Sequence, residues 1–334
     1  MTIAFFGELM LRLSPPGREL LLQTPKLEVH VGGAEANVAT GLACLGHPVR
    51  MVSAVSDNAL GRAAVDELRR HGIDTSTIVR ESGRLGLYFL TPGAGLRASE
   101  VVYDRAHSVF ATRSADAWDW DKALNGATRL HLSGITPALG HNTATAAIAA
   151  AEAAAARGIP VSFDGNYRAK LWDAWDSDPK KVLTRLIGHA DLLFGNHRDV
   201  SLLLGREFSG DGPDRRREAA EAAFQAFPKL EMIASTARHV VDADSHRIAA
   251  RIDTRAGGHQ TEEVVIAGIV DRIGAGDAFA AGVLHGLLRG GDPVDAADAG
   301  LALTALKHSL PGDASLFGQA DIDAFLEGEL DVRR

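Results

Sequence analysis

Short apolar segments alternate with longer segments of helical periodicity along most of the chain. Strands are predicted at residues 3–6, 50–55, 129–132, 160–163, 191–194 and 231–234, and helices at 36–45, 61–71 and 143–157. A repeated order of strand then helix predicts right-handed crossovers and a mostly parallel sheet with helices on both faces. The predicted fold class is therefore α/β.

Two regions, at about 9–31 and 84–112, interrupt this alternation with extended segments. Strand-like patterns occur at 9–13, 20–31, 86–90 and 101–105, the last two joined by a turn rich in Pro and Gly. Extended insertions of this kind predict a small separate sheet, placed as a lid over the carboxyl ends of the main strands. The alternative is an edge hairpin without a functional role. Residues 1–334 are otherwise predicted to form one domain.

The segment 271–279 places two glycines and an acid at the start of a long apolar helix. Gly274 and Gly276 allow backbone N–H groups to point toward one anion at the positive end of the helix. Asp277 would face that anion, which suits removal of a proton from an alcohol during phosphoryl transfer. This motif alone supports equally well a tight loop in which Asp277 is an ordinary N-cap.

Other polar residues follow glycine turns or predicted strands. Gly33 belongs to a diglycine turn that opens a helix, and Asn37 in its first turns is placed to reach a substrate hydroxyl, unless the junction is purely structural. Asn166 and Arg168 follow the strand at 160–163, where ligands gather in open α/β sheets. Arg168 is a candidate for binding a substrate carboxylate or the transferring phosphate.

The predicted lid carries Tyr88, Tyr103 and Arg105. Tyr103 and Arg105 are two positions apart and therefore share one face of a strand. A guanidinium with nearby phenols suits a carboxylate, because the guanidinium offers paired donors and Tyr adds a neutral donor. The alternative is an ordinary half-exposed sheet surface.

Asn196 and Asp199 lie three positions apart at a helix start that follows the strand at 191–194. The pair is suited to ordering a hydrated Mg²⁺, which keeps most of its waters and needs few protein ligands. An Asn N-cap with an acid in the first turn explains the same pattern.

Composition narrows the class of protein. The 334 residues are 46% hydrophobic and 23% charged, which excludes a disordered chain. A net charge of −8 makes nucleic acid or an acidic membrane an unfavourable partner. The single cysteine forms no internal disulfide, and no signal peptide or uncharged apolar span of membrane length is evident. We expect a cytoplasmic enzyme that acts on a small molecule.

Taken in order, these segments resemble the ribokinase-like (PfkB-type) carbohydrate kinases along essentially the whole chain. The matching motifs are Gly-Gly-Ala-Glu-Ala-Asn at 32–37, Asp-Gly-Asn-Tyr-Arg at 164–168, Asn-x-x-Asp at 196–199 and Gly-Ala-Gly-Asp at 274–277. The resemblance implies a three-layer ribokinase-like fold, ATP and Mg²⁺ as cofactors, and a possible monovalent cation. It also implies that Asp277 is the catalytic base and that Gly274, Ala275 and Gly276 form the anion hole.

Within the family the chain is most similar to kinases of 2-keto-3-deoxygluconate, which implies phosphorylation of its terminal hydroxyl to the 6-phosphate. The implied substrate-binding residues are Gly33, Asn37, Tyr88, Tyr103, Arg105, Asn166 and Arg168. The implied nucleotide-binding residues are Asn196, Ser235, Thr236, Arg238, Gly274, Gly276 and His308, with Asp199 holding the metal through water. A homodimer or higher homo-oligomer is also expected, because lid strands expose edges that must be covered.

Three departures from the family pattern affect the nucleotide side. Asp199 replaces the usual Glu, and residues 235–240 replace a glycine-rich turn. Thr236 and Arg238 are then the expected side-chain donors to ATP in place of glycine backbone contacts. Arg272 replaces a Thr and either meets phosphate or pairs with a surface acid. The alternatives to the leading function are a kinase for 2-keto-3-deoxygalactonate, fructose or ribose, and a sugar-acid-binding protein without catalysis.

Overall fold

The computed structural model describes residues 2–328. Its strands are β1 (Thr2–Phe6), β2 (Met10–Ser14), β3 (Glu28–Gly32), β4 (Val49–Ser56), β5 (Ile78–Glu81), β6 (Gly86–Thr91), β7 (Glu100–Asp104), β8 (Ala127–Ser133), β9 (Val161–Asp164), β10 (Leu192–Phe194), β11 (Met232–Val240), β12 (Ser245–Thr254), β13 (Gly258–Gln260) and β14 (Val264–Ala267). Its α-helices are α1 (Ala34–Cys44), α2 (Ala59–Arg70), α3 (Val109–Thr112), α4 (Trp120–Leu124), α5 (His141–Ala156), α6 (Ala169–Trp172), α7 (Pro179–Ile187), α8 (His197–Leu204), α9 (Gly212–Ala226), α10 (Ala275–Leu288), α11 (Pro293–Lys307) and α12 (Gln319–Glu327). Short 3₁₀ turns lie at Ala115–Ala117 and Pro137–Leu139.

The main sheet has ten strands in the order β13-β12-β11-β10-β9-β8-β1-β4-β5, and β14 also pairs with β12. Strands from β11 to β5 in this order are parallel, whereas β12 runs antiparallel to β11. The predicted mostly parallel α/β sheet is therefore confirmed. The antiparallel extension by β12, β13 and β14 was not predicted from the sequence.

Two apolar layers cover the main sheet, and β1 shows how the sequence produces them. Ala4 and Phe6 belong to one buried cluster with helices α3 to α9, and Ile3 and Phe5 belong to another with α1, α2, α10, α11 and α12. Because successive strand residues point to opposite faces, an uninterrupted apolar strand is what a sheet buried on both sides requires. The chain therefore forms the expected three layers.

Helix α10 is buried along most of its length and packs closely against α11. A Cβ on Gly282 would lie 2.4 Å from the Ala299 carbonyl oxygen, and one on Gly286 would lie 2.7 Å from the Ala296 Cα. Glycine at these positions lets the two helix backbones approach each other. This packing fixes the N-terminus of α10 relative to the sheet.

The second sheet, which we term the small sheet, has the order β3-β2-β6-β7. Its strands alternate between two faces, as period-two side chains must. Cross-strand neighbours on the face that contains the buried Arg12 and Tyr88 form an inner row, His30, Arg12, Tyr88 and Tyr103. Neighbours on the opposite face form an apolar outer row, Val29, Leu13, Phe89 and Val102.

The boundaries of the small sheet differ from the predicted ones. The predicted extended segment 20–31 is a strand only at Glu28–Gly32, and turns and bends occupy most of 15–27. Pro15, Pro16 and Pro25 account for this, because proline donates no ladder hydrogen bond. At the other end Phe110 leaves the small sheet and packs with its ring 5.3 Å from that of Phe6 in the main core. No helix within residues 2–328 is long and apolar enough to cross a membrane.

Candidate active site

The candidate site is built around the start of α10. Gly274 is its N-cap, with φ of +76°, and a Cβ there would lie 1.6 Å from the Asp313 carbonyl oxygen. Only glycine satisfies both conditions. The amide of Ala275 donates to the Arg272 carbonyl at 3.3 Å. The amides of Gly276 and Asp277 are then the first-turn donors available to an anion, because the helix itself supplies no acceptor there.

Asp277 lies in that first turn and is held by a side chain from α1. Its Oδ2 accepts a hydrogen bond of 2.6 Å from Asn37 Nδ2. Burial raises the pKa of Asp277 to about 8, the Asn37 bond opposes this, and the charges of Asp164 and Asp313 add to it. A carboxylate with a pKa close to neutral is suited to taking a proton from a hydroxyl. Asn37 lines the first cavity and also donates to Asp277, so it orients the acid.

Two cavities meet at this helix start. The first cavity, of about 740 Å³, contains Asp277 and extends beneath the small sheet. The second cavity, of about 780 Å³, extends between α8, α9 and α11. They share the walls formed by Asn196, Ser235, Thr236, Arg238 and Gly276. The cleft therefore offers two binding spaces that join beside the first turn of α10.

All the substrate-binding residues implied by the sequence line the first cavity, although they come from distant parts of the chain. They are Gly33, Asn37, Tyr88, Tyr103, Arg105, Asn166 and Arg168. Asn166 has φ of +33°, and its amide donates to Asp164 Oδ1 at 3.0 Å, which holds a strained turn at the carboxyl end of β9. Arg168 is exposed at the mouth of the cavity.

Arg105 is oriented by Glu8, a residue that the sequence analysis did not identify. Its Nε and Nη2 both donate to the Glu8 carboxylate, which also accepts from the Ser108 hydroxyl. Arg105 Nη1 is buried and has no hydrogen-bond partner within the described residues. The Tyr103 ring centre lies 5.8 Å from the guanidinium carbon. A buried donor without a partner at a cavity wall is suited to a ligand acceptor.

Tyr88 differs from the expectation that its hydroxyl would meet a substrate carboxylate. The hydroxyl donates instead to Asp313, and burial together with the charge of that acid raises the pKa of Tyr88. Asp313 follows α11 and is far away in sequence, so the sequence pattern gave no sign of this pairing. The Tyr88 ring still lines the first cavity.

The residues implied for the nucleotide lie around the second cavity. Asn196, Ser235, Thr236, Arg238, Gly276 and His308 line it, whereas Gly274 lines the first cavity. His308 Nδ1 lies 2.7 Å from the Thr304 carbonyl oxygen, so this nitrogen carries the proton. Burial lowers the pKa of His308 to about 4. Its Nε2 is then a buried acceptor without a partner among the described residues.

Two arginines give the junction of the cavities a positive charge. Arg272 lines the first cavity, and Arg238 lines both. Burial lowers the pKa of Arg238, and the nearby charge of Arg272 lowers it further. Within residues 2–328 no carboxylate lies in salt-bridge distance of Arg272. The geometry therefore favours an anionic ligand for Arg272 over a surface acid.

Asn196 and Asp199 form the helix cap that was considered as the alternative to a metal site. The Asn196 amide donates to Asp199 Oδ2 at 2.8 Å, and Asn196 Oδ1 accepts from the Arg198 amide at 2.9 Å. Asp199 also lines the first cavity. Burial, with a contribution from the charge of Asp199, raises the pKa of Asp164 to about 7. The two acids thus concentrate negative charge opposite the start of α10.

Glu35 of α1 is another buried acid at the site that was not predicted from the sequence. Glu35 Oε1 accepts hydrogen bonds from the Ser133 hydroxyl at 2.8 Å and the Thr136 hydroxyl at 2.7 Å, and burial raises its pKa. These bonds tie α1 to the end of β8 and to the turn that follows it. The sequence signal was a glutamate among apolar helix positions, which usually needs buried partners.

Comparison with known proteins gives the family. A model of the pfkB family of carbohydrate kinases matches residues 2–316. The 2-dehydro-3-deoxygalactonokinase of Haloferax volcanii is 33% identical over 97% of this chain and 96% of its own length. The 2-dehydro-3-deoxygluconokinase of Bacillus subtilis is 30% identical over 85% of this chain and 82% of its own length.

Solved structures agree with these relatives. The 2-dehydro-3-deoxygluconokinase of Thermotoga maritima has a TM-score of 0.93 and 37% identity, covering 98% of this chain and 100% of its own. A PfkB family carbohydrate kinase from Listeria grayi has a TM-score of 0.91, also with 37% identity and the same coverage. The chain therefore belongs to the pfkB family of carbohydrate kinases and is an ATP-dependent carbohydrate kinase.

Proposed function

We propose that the protein transfers the γ-phosphoryl group of ATP to the terminal hydroxyl of 2-keto-3-deoxygluconate, also called 2-dehydro-3-deoxygluconate, to give the 6-phosphate. The observation that carries the proposal is the buried Nη1 of Arg105, which has no partner among residues 2–328 and belongs to a residue that lines the same cavity as Asp277. Relatives at 30% and 37% identity carry the name of this activity.

The first cavity has the donors that a sugar acid needs. Arg168 contributes positive charge, Arg105 contributes the N–H donor at Nη1 that Glu8 leaves free, and Tyr103 contributes a neutral hydroxyl. A carboxylate is the acceptor that best satisfies a guanidinium, because the two can share parallel charge-assisted hydrogen bonds. A neutral sugar would offer Arg105 Nη1, which has no hydrogen-bond partner among the described residues, no charged acceptor. We further propose that the small sheet covers this cavity as the lid of a single domain.

Asp277 would act as the base in the transfer. The substrate hydroxyl oxygen forms a bond to the γ-phosphorus while the bond from that phosphorus to the bridging oxygen of ADP breaks. The hydroxyl proton passes to Asp277, and Asn37 holds the acid in place through Oδ2. A base already fixed by a hydrogen bond needs no reorientation when the proton moves.

The first turn of α10 would stabilise the charge that develops on the transferring group. The amides of Gly276 and Asp277 point out of the helix end, and Arg272 and Arg238 add positive charge at the junction of the cavities. Fixed donors of this kind supply much of the stabilisation in phosphoryl transfer.

The family implies ATP and Mg²⁺. No cluster of three or more His, Cys, Asp or Glu side chains within residues 2–328 is arranged to hold a metal ion. This fits Mg²⁺, which keeps several waters and binds largely through phosphate oxygens. Asp199 and Asp164 would hold its waters, and the ion would neutralise phosphate charge when bound. The nucleotide would lie in the second cavity, with Thr236 and Arg238 as donors.

A substrate panel tests the proposal directly. Purified protein with ATP and Mg²⁺ is assayed by coupled ADP detection against 2-keto-3-deoxygluconate, its galacto epimer, gluconate, fructose and ribose. We expect the keto acids to be preferred over neutral sugars by at least about 10²-fold in kcat/KM, because their carboxylate gives Arg105 Nη1 a charged acceptor that a neutral sugar lacks. Faster turnover of fructose or ribose would contradict the assignment.

The galacto epimer is the second candidate, and a specific observation favours it. The Haloferax volcanii relative, which covers 97% of this chain, is named for 2-dehydro-3-deoxygalactonate. The epimers differ at one hydroxyl, so the ratio of their kcat/KM values decides between them. A ratio above about tenfold in either direction assigns the substrate, since a single well-made hydrogen bond discriminates at least that strongly.

A further inference from the structure

A buried group of charges joins the small sheet to the turn that precedes α10, and the proposed mechanism does not use it. Arg12 lies in the middle of β2 and is 1% exposed. Its Nη2 is 2.7 Å from Asp271 Oδ2, and its Nη1 is 3.1 Å from Asp313 Oδ1. Arg12 therefore reaches from the small sheet to two acids of the core.

Both acids also contact the backbone of the turn that leads into α10 at Gly274, which we term the anion-hole turn. Asp271 Oδ1 accepts from the Ile273 amide at 2.9 Å, and its Oδ2 accepts from the Gly312 amide at 3.1 Å. The carbonyl of Asp313 is the atom against which Gly274 is packed. Movement of either acid would consequently move the residues that set the position of the Gly276 and Asp277 amides.

The same acids are linked to the sugar side of the first cavity. Tyr88 is the cross-strand neighbour of Arg12 on the inner row, and its hydroxyl donates to Asp313. The Tyr88 ring lies 5.9 Å from the ring of Tyr103, which also lines the cavity. Continuous contacts thus lead from the cavity wall through Tyr88 and Asp313 to Gly274.

Charge balance explains why Arg12 is needed in this position. Asp271 and Asp313 face two buried cations, Arg12 and Lys307. Lys307 comes from α11 and donates to the carbonyl of Leu310 at 3.1 Å, so it belongs to the core. Arg12 is the cation of this group that the small sheet supplies. Its removal would leave two buried acids close together with one cation, which is strongly unfavourable.

We propose that Arg12 is a positioning residue that couples ligand binding beneath the small sheet to the anion-hole turn at Gly274. A sugar acid against Tyr88 and Tyr103 fixes the inner row, and Arg12 passes this constraint to Asp271 and Asp313. The inference rests on the proposed function only in taking a sugar acid as the ligand of the first cavity.

The test measures the coupling between the two ligands. The dissociation constant of a non-hydrolysable ATP analogue with Mg²⁺ is determined by calorimetry with and without the sugar acid that the wild-type protein phosphorylates fastest. We expect the sugar acid to tighten analogue binding by at least about fivefold in the wild type. In Arg12→Met the factor should fall below about twofold, with kcat reduced more than KM is raised.

Arg18→Met is the matched control. Arg18 belongs to the same inserted segment and pairs with Asp244 of the core at 2.7 Å, but it is half-exposed and touches neither acid. This variant should keep the wild-type coupling factor. Equal loss in both variants would mean that any link between the insertion and the core suffices, which overturns the role of Arg12.

Tyr88→Phe gives a second route if Arg12→Met does not fold. It removes the hydrogen bond from the Tyr88 hydroxyl to Asp313 and leaves every buried ion pair in place. The coupling factor, which is the ratio of analogue dissociation constants without and with the sugar acid, should therefore fall at least about twofold. An unchanged factor in a folded Arg12→Met or Tyr88→Phe protein, or no coupling in the wild type, overturns the inference. If 2-keto-3-deoxygluconate is not the substrate, the coupling through Arg12 can still be tested with the sugar acid that the panel identifies. If no member of the panel is turned over, both the proposed function and the coupling inference are overturned.

Discussion

At the scale of single residues, the proposed chemistry depends on how Asp277 is surrounded. The acid lies at the positive end of a helix, yet burial outweighs this and raises its pKa to about 8. The bond from Asn37 lowers the pKa, whereas the neighbouring acids Asp164 and Asp313 raise it. The group therefore changes its charge in the pH range in which an enzyme base must accept a proton.

Replacing the base tests its role most directly. Asp277→Asn keeps the size of the side chain and an acceptor for Asn37 but cannot take a proton. We expect kcat to fall by about 10²- to 10⁴-fold, with the dissociation constants of sugar acid and ATP within about threefold of wild type. Single-turnover ADP release and calorimetry measure the two effects. Near-normal turnover in a correctly folded variant would show that Asp277 is not the base.

The pH dependence of the reaction follows from the direction of the pKa shift. Because the base must be deprotonated, kcat/KM should rise with pH and level off above about pH 8. Asn37→Leu removes the donor that favours the charged acid, so its midpoint should move to higher pH by about one unit. Rate profiles at constant ionic strength measure both midpoints. The same midpoint in both proteins would mean that Asn37 does not act on Asp277.

The raised pKa of Asp277 also predicts how the stability of the fold depends on pH. The folded protein holds a proton on Asp277 up to about pH 8, whereas the unfolded chain releases it near pH 4. Stability is then lost as pH rises between these values, because the unfolded state binds fewer protons. At pH 8 Asp277→Asn should raise the free energy of unfolding by about 1–2 kcal/mol, less than the full shift implies, because the half-buried site is screened by water.

Urea unfolding of both proteins at pH 8 and near pH 4 tests this expectation. The difference should become small at the lower pH, because the unfolded wild-type chain then also takes up the proton that the folded chain already holds. A difference that persists unchanged across this range would point to packing rather than to ionisation.

At the scale of elements, the start of α10 contains two glycines with different structural roles. Gly274 adopts φ of +76° against the Asp313 carbonyl, whereas a Cβ on Gly276 would meet nothing within 4 Å. Gly274 is therefore required by the path of the backbone. Gly276 is instead open to the cavities, which it helps to line.

Replacing each glycine separately by alanine should distinguish these two roles. Gly274→Ala should destabilise the fold by about 1–3 kcal/mol and lower kcat by about 10²-fold or more, because the turn must shift. Gly276→Ala should leave stability unchanged or raise it by up to about 1 kcal/mol, but should raise KM for ATP. Thermal unfolding and steady-state kinetics measure both variants. A harmless Gly274→Ala would contradict the close approach to Asp313.

At the scale of the whole molecule, the small sheet buries Arg12 and Tyr88 at the centre of its inner row, whereas both ends of its outer row are exposed. Val29 is 57% exposed and Val102 is 49% exposed, and Leu13 and Phe89 lie between them in the same apolar row. An apolar row across a sheet with exposed edges suits contact with a second copy. The homodimer expected from the sequence therefore stays a prediction, with the outer row as its proposed interface.

Ultracentrifugation of Val102→Glu tests that interface. A charge within an apolar contact should shift the protein from dimer to monomer, with a dissociation constant raised by at least about 10²-fold. Val265→Glu is the matched control, because Val265 is 69% exposed on β14, outside the small sheet. Unchanged assembly in Val102→Glu, or equal dissociation in both variants, would remove the outer row from the interface.

Much of the architecture could be predicted because each signal was local. Apolar runs such as residues 3–6 are typical of strands buried on both faces, and the glycines at 274 and 276 indicated a helix start that binds an anion. The strand prediction was wrong where an apolar pattern coincided with prolines. The apolar pattern at 20–27 does not form a strand, because the surrounding prolines interrupt the ladder.

The sequence by itself determined the α/β fold, the small sheet and the acid beside the helix start, because these follow from periodicity and local turn chemistry. Only the tertiary structure decided which polar groups face one another. It placed Tyr88 and Arg12 on Asp313, Glu8 on Arg105 and Asn37 on Asp277. Each pair joins residues that are distant in the chain, so its partner, its burial and its pKa exist only once the layers have packed.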